Sequence, residues 1–268
     1  VEKSILEAAK TFPCIVLYGP RQVGKSTTLD YVFPGNFNRV TLDDTEDREL
    51  AEKNPKLFLE VNPWPIIIDE IQKVPALLDA IKIKIDEQRK IWLKNNEERK
   101  LMYVLTGSNR FELKQGISET LAGRCGIIEM SSFTLREKKA MEAHLFTPKI
   151  EVLIQRSQQE KSEYLTRTQI FEEIYKGGMP DICTNVSERN IYYKSYVNTY
   201  IEKDVRKLIV ASNETQFRNF ISIVALRTAQ ELHYDEIAGA VGIDVKTCKR
   251  WLSILETSGI IYLLQPYM

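Results

Sequence analysis

Cys14-Ile-Val-Leu-Tyr-Gly-Pro-Arg-Gln-Val-Gly-Lys-Ser-Thr-Thr28 is the stretch whose reading decides the fold. A short apolar run rich in β-branched residues, Cys14 to Tyr18, reads as a strand and ends in Gly19; G-x-x-x-x-G-K-S then runs from Gly19 to Ser26, and a helical pattern follows. Strand, glycine loop and helix in that order distinguish a phosphate-binding loop from a simple glycine turn. A backbone that bends around a polyphosphate needs unusual dihedrals and close approach, which Gly19 and Gly24 are expected to supply. Loop N–H groups and the helix N-terminus near Gly24 then form an anion-binding nest. Gly19, Pro20, Arg21, Gln22, Val23, Gly24, Lys25, Ser26 and Thr27 are the candidate nucleotide-binding set. Lys25 is expected to reach the β and γ phosphates of ATP, and the Ser26 hydroxyl to join the shell of a Mg²⁺ ion.

Downstream, Ile66-Ile-Ile-Asp-Glu-Ile71 is a continuous apolar run closing on two carboxylates. An unbroken β-branched run suits a strand buried on both faces of a parallel sheet. Acids at its C-terminal end sit where open α/β sheets bind ligands. This is a Walker B pattern, in which Asp69 would hold Mg²⁺ and Glu70 would orient or deprotonate an attacking water. A further buried strand, Leu101 to Thr106, runs into Gly107-Ser-Asn-Arg110. A polar side chain there could hold the water near the γ phosphate; Thr106, Ser108 and Asn109 are the candidates, and turn chemistry explains any single one equally well.

Around these motifs, Val1 to Lys10 reads as a short helix, Arg39 to Leu42 as a strand, Glu46 to Lys53 and Leu77 to Asn95 as helices, and Gly126 to Met130 as the last strand. Pro55, Pro63 and Pro65 punctuate the segment before the Walker B strand. Leu135 to Ala143 reads as helical, and Gln155 to Ser162 as a polar linker. From Thr166 onward the pattern is helical: Thr166 to Lys176, a Gly177-Gly178 turn, then Glu188 to Val210. Tyr192, Tyr193, Tyr196 and Tyr200 recur at helical spacing on that last segment, which favours packing over a base-stacking platform.

The C-terminal stretch from Tyr234 to Leu264 has helix-turn-helix spacing, with Asp244 as an N-cap and Val245, Cys248, Trp251, Leu252 and Leu255 facing inward. Lys246, Thr247, Lys249 and Arg250 fall on the outer face, where a DNA reader places its contacts. From Ala229 to Met268, however, three cations (Lys246, Lys249, Arg250) meet five anions (Glu231, Asp235, Glu236, Asp244, Glu256), so a purely structural role stands beside DNA reading. Gly259 to Leu264 would be the first wing strand, and the chain stops before a second can return.

Composition narrows the function classes. Lys plus Arg and Asp plus Glu are equal at 37 each, so no global positive field holds nucleic acid non-specifically. Cys14, Cys125, Cys183 and Cys248 form no CxxC pair, which argues for reduced thiols and against a zinc site. The two histidines, His144 and His233, suit packing or surface positions better than a metal site or catalytic triad. No apolar run approaches the ~20 residues that span a bilayer, and no secretory signal opens the chain. The expectation is a cytoplasmic protein with no membrane partner, and the Val1 start implies a missing natural N-terminus.

Several motifs together resemble the prokaryotic AAA+-like ATPases that carry a C-terminal domain of unknown function numbered 4143. They are Tyr-Gly-Pro-Arg-Gln-Val-Gly-Lys-Ser-Thr (18 to 27), Ile-Ile-Asp-Glu-Ile-Gln (67 to 72), Leu-Thr-Gly-Ser-Asn (105 to 109), Leu-Ala-Gly-Arg (121 to 124) and Gly-Gly-Met-Pro (177 to 180), with the helix-turn-helix segment ending in Leu255-Glu256. The first two are common to many NTPases; the last two are more specific. The resemblance implies an α/β P-loop core of the ASCE, AAA+-like type with five parallel strands in the order 5-1-4-3-2. Helices and a winged helix would follow, then a nuclease-like region absent from this chain. Asp204 and Arg206 match a patch of the family pattern without a derivable role. Arg124 lies where such proteins carry an arginine finger that meets a neighbour's γ phosphate, implying a homo-oligomer; the alternative is a salt bridge to an acid such as Glu129.

The organisation expected is therefore a P-loop ATPase domain over residues 1–150, a helical domain over 151–227 and a truncated winged-helix-like segment over 228–268. The function expected is Mg²⁺-dependent ATP hydrolysis, with Lys25, Glu70, Asn109 and Arg124 as catalytic candidates, Ser26 and Asp69 as metal ligands, and coupling to a partner through the helical region. The rival is a nucleotide-dependent switch or scaffold with slow hydrolysis that binds protein or DNA through the winged helix.

Overall fold

The chain was analysed as a computed structural model that describes residues 1–35, 37–108, 117, 120–141, 147–159, 165–200 and 214–266. Two compact units are formed, Val1–Ser131 with Tyr200–Met268, and Ser132–Thr199.

The first unit is built on five strands: β1 (Cys14–Tyr18), β2 (Asn38–Thr41), β3 (Ile66–Asp69), β4 (Tyr103–Gly107) and β5 (Cys125–Glu129). They form one sheet in the order β2-β3-β4-β1-β5, and every neighbouring pair is parallel. This is the order that the family resemblance implied, read from the other edge. All five residues of β1 are buried, as are all five of β4, which is why their sequences lack polar alternation. The register places Tyr18 beside Gly107 and Glu129, and Ile68 beside Leu105. The C-terminal ends of β1, β3 and β4 therefore reach one edge of the sheet together, and both predicted motifs leave the strands there.

Helices cover the sheet: α1 (Glu2–Thr11), α2 (Lys25–Val32), α3 (Thr45–Lys53), α4 (Pro55–Val61) and α5 (Leu77–Asn95). Helix α5 buries Leu77, Leu78, Ile81, Ile85 and Trp92, a stripe at helical spacing. Helix α4 was not foreseen, because Pro55 reads as a breaker. Instead it stands at the first turn, where a missing N–H costs nothing, and the Asn54 side chain accepts from the Leu57 N–H to start the helix. Phe58 and Leu59 are buried as a result.

The second unit holds α6 (Leu135–Lys138), α7 (Ile150–Gln159), α8 (Arg167–Lys176), α9 (Pro180–Cys183) and α10 (Arg189–Tyr200). Two expectations are corrected here. Helix α6 stops early, with Ala140 at φ 50°, a left-handed backbone that cannot continue the helix. Residues 155–159 are helical rather than linker, since Gln and Arg are good helix formers and Ile150, Leu153 and Ile154 give the segment a face. Capping boxes at Thr134 with Glu137 and at Thr166 with Gln169 start α6 and α8. Tyr192 stacks on Tyr196 at 6.2 Å and meets Tyr193 edge-on at 5.3 Å, so these tyrosines pack among themselves. Gly177 has φ +77°, and a Cβ there would lie 2.2 Å from the Tyr193 hydroxyl oxygen, which explains the glycine on both counts.

The C-terminal part of the first unit comprises α11 (Glu214–Leu226), α12 (Tyr234–Val241) and α13 (Val245–Thr257). Trp251 is the centre, with Phe217 at 5.1 Å and Phe220 at 5.3 Å both edge-on to its ring. Asp244 caps α13 as expected, its carboxylate accepting from the Thr247 N–H at 2.9 Å. The expected wing strand does not form: residues 261–266 have no regular structure, and among the described residues no neighbouring strand offers them a ladder. Among the described residues, α12 and α13 are joined by a short turn and no wing strand follows them. Among the described residues no helix is long and apolar enough to cross a membrane.

Candidate functional site

The P-loop joins β1 to α2 at the sheet edge. Gly24 caps α2 in the left-handed region at φ 88°, as the motif requires. Gly19 does not supply the unusual dihedral expected of it. Its φ is not among the positive ones; a Cβ built on it would lie 2.0 Å from the Met130 carbonyl oxygen, because the end of β5 runs directly against the loop. Met130 is held there by its N–H donating to the Tyr18 carbonyl at 2.8 Å. Gln22 also takes φ 61°, a left-handed geometry in the loop that a side chain adopts only at a cost.

Lys25 is 7% exposed, and its ammonium donates to the Gly19 carbonyl at 3.0 Å and the Pro20 carbonyl at 2.9 Å. Burial lowers its pKa, the nearby carboxylates of Glu70 and Asp69 pull it back up, and Arg21 adds to the lowering. A nearly desolvated cation whose hydrogen bonds, among the described residues, go to neutral carbonyls of its own loop is a strong electrostatic draw for an anion.

The acids stand beside it. Asp69 ends β3, and the buried Thr106 hydroxyl donates to its Oδ1. The Ser26 hydroxyl lies 3.5 Å from Asp69 Oδ2. Burial first, and the charge of Glu70 second, raise the Asp69 pKa; its own contacts with the Glu70 N–H, Lys25 and Arg39 offset this in part. A hydroxyl and a carboxylate oxygen placed together, with the carboxylate short of positive charge, are hard oxygen donors that fit a magnesium ion. Glu70 follows at φ 57°, ψ 42°, a left-handed conformation that a non-glycine residue keeps only when its surroundings demand it. Its Oε2 accepts from Ser108 Oγ at 3.1 Å and from Gln72 Nε2.

Of the three sensor candidates, Thr106 is thus bonded to Asp69 and Ser108 to Glu70, while Asn109 lies outside the described residues, as do His144, Asp204 and Arg206. Gln72 was missed. It closes the Ile-Ile-Asp-Glu-Ile-Gln motif (67 to 72), which marks its place but not that its carboxamide meets Glu70. Arg124 forms an ion pair, but with Asp86 of α5 rather than Glu129: Nε reaches Oδ1 at 2.7 Å and Nη2 reaches Oδ2 at 2.9 Å. Glu129 instead accepts from the Tyr18 hydroxyl at 2.8 Å. His233 is exposed at the start of α12, a surface position as expected, and the four cysteines are free thiols.

One contact ties the C-terminal helices to this site. Gly259, just after α13, has φ +71°, and a Cβ on it would lie 2.8 Å from Pro20 Cγ in the P-loop. On α13 itself Lys246, Lys249 and Arg250 are exposed, with Lys249 Nζ 5.0 Å from the centre of the Tyr234 ring.

Residues 167–268 match a domain of unknown function (DUF8612), a different one from the 4143 type that the motifs resemble. Uncharacterized proteins of Mycobacterium bovis and Mycobacterium tuberculosis are each 24% identical over 261 residues, 95% of this chain and 50% of theirs. The chain thus spans about half the length of the curated relatives it matches. Among solved structures, a Walker-type ATPase of Pyrococcus abyssi shares the fold at a TM-score of 0.56 and 14% identity, over 96% of this chain and 88% of that one. Residues 11–139 match the family model described as an AAA domain, and the five-stranded parallel sheet and the Gly19-to-Ser26 loop both lie within that segment.

Proposed function

We propose that the chain binds ATP with magnesium and hydrolyses it. The observation that carries this reading is the meeting of Lys25, Ser26, Asp69 and Glu70 at one sheet edge, although 43 residues separate Ser26 from Asp69. The phosphates would lie over the N-terminus of α2, drawing Lys25 away from the Gly19 and Pro20 carbonyls. Magnesium, held by Ser26 and Asp69, would neutralise charge on the β and γ phosphates. Glu70 would orient the attacking water and accept its proton, while Lys25 stabilises charge developing on the γ phosphoryl oxygens. Steady-state release of phosphate from MgATP tests this. Glu70→Gln keeps the shape of the side chain and loses the base, so nucleotide affinity should stay within about twofold while turnover falls ~10²-fold or more. Equal turnover by variant and parent would move water activation to another residue.

The second reading, a nucleotide-dependent switch, draws support from the packing of Gly259 on Pro20. A loop that rearranges around phosphate would press on the turn that ends α13, and so bias the helix-turn-helix and whatever protein or DNA it meets. For Arg124 we favour a role within its own chain, because the fork of its guanidinium is already spent on Asp86. A role in trans, in a homo-oligomer, requires that pair to open.

A further inference from the structure

Gln72 lies on the 3-10 turn Ile71–Lys73 that the left-handed backbone of Glu70 starts. Its carboxamide nitrogen donates to Glu70 Oε2 and lies 3.4 Å from Ser108 Oγ, which itself donates to the same Glu70 oxygen at 3.1 Å. The orientation of the amide follows from chemistry: its oxygen would face a carboxylate if it were turned over. Both donors therefore converge on one carboxylate oxygen of Glu70. The other, Oε1, accepts no hydrogen bond from any described residue. The carboxamide oxygen of Gln72 is buried and has no partner among the described residues, so this amide is kept in place at a cost.

We propose that Gln72 is a positioning residue for hydrolysis: with Ser108 it pins one oxygen of Glu70 and thereby turns the other toward the attacking water. This rests on the reading of Glu70 given above. A carboxylate free to rotate would divide its time among several hydrogen-bonding arrangements. Fixing Oε2 on two donors selects one of them before substrate arrives, and pre-organisation of this kind acts on the chemical step rather than on nucleotide affinity.

The test uses three variants of the full chain, each assayed for MgATP turnover and for binding of a fluorescent ATP analogue. Gln72→Met keeps the length and packing of the side chain and loses the donor. Gln72→Glu keeps its shape and sets a like charge against Glu70. Each should lower kcat about 10- to 100-fold with KM and analogue affinity within about twofold. Adding Gln72→Met to Glu70→Gln should cost no more than a further twofold, because the group to be positioned is already gone. Parental kcat in Gln72→Met would show that the residue only fills space and overturn the proposal. So would a loss as large in the Glu70→Gln background as in the parent, or a loss of analogue affinity that parallels the loss of kcat. In each of these cases turnover by the parent and its ~10²-fold loss in Glu70→Gln leave the ATPase reading standing. A parent that binds MgATP and never releases phosphate overturns both.

Discussion

Lys25 is the residue on which the site's electrostatics turn. Its ammonium is nearly out of water and is bonded to two carbonyls of its own loop, so it has given up hydration without gaining a full counter-charge. Lys25→Ala should relieve that burial cost and leave the fold intact, with nucleotide binding lost; retention of ATP by the variant, measured by equilibrium titration, would sink the P-loop assignment. The role proposed for Lys25 rests on its place in G-x-x-x-x-G-K-S, because phosphate chemistry dictates that spacing. The need for glycine at position 19 is legible too, though not its cause. Only the structure shows the Met130 carbonyl that a Cβ would strike, because β5 lies more than a hundred residues along the chain from the loop it abuts.

Among the described residues, the forked ion pair of Arg124 with Asp86 ties the loop before β5, at the sheet edge opposite the P-loop, to the middle of α5. The hydrogen bond from Arg124, more than its charge alone, holds the Asp86 carboxyl below the usual carboxylate range. A folded-state pKa below the unfolded one means that the stabilisation is complete above the unfolded value, near 3.9, and disappears as pH falls through the lower folded value. The Asp86 side chain is 36% exposed, so water screens the pair and its contribution at neutral pH stays at no more than about 1 kcal/mol. Asp86→Asn should accordingly lower the midpoint of urea unfolding at pH 7, with the difference from the parent closing on acidification below pH ~4. A difference that persists unchanged at pH 3 would assign the effect to packing. At this scale the sequence was readable wherever one local rule acted alone, as with the buried runs of β1 and β3 and the Asp244 cap. It misled where two rules competed: Pro55 breaks a helix interior and also starts a helix, and the second use prevailed because Asn54 stood ready to cap it.

For the whole molecule, the open question is whether one chain suffices. With Arg124 paired to Asp86, turnover per chain should be independent of protein concentration, and mixing Arg124→Ala with Glu70→Gln should restore nothing. Turnover that rises with concentration, together with rescue in the mixture, would show that the pair opens and that Arg124 serves a neighbour's site. The sequence by itself marked a glycine-rich loop after one buried strand and a carboxylate pair at the end of another, and it singled out Lys25, Ser26, Asp69 and Glu70, which the structure brings to one sheet edge. Phosphate and metal impose fixed residue types at short spacing, and a doubly buried strand imposes an unbroken apolar run. Tertiary structure alone decided the partners: Asp86 for Arg124, Ser108 and Gln72 for Glu70, Pro20 beneath Gly259, and no neighbouring strand among the described residues for a wing. Each of these contacts except that of Gln72 crosses tens of residues of chain. No periodicity or motif encodes which of several acids or hydroxyls a parallel sheet will bring to the same edge, because the register and the crossover connections set that choice.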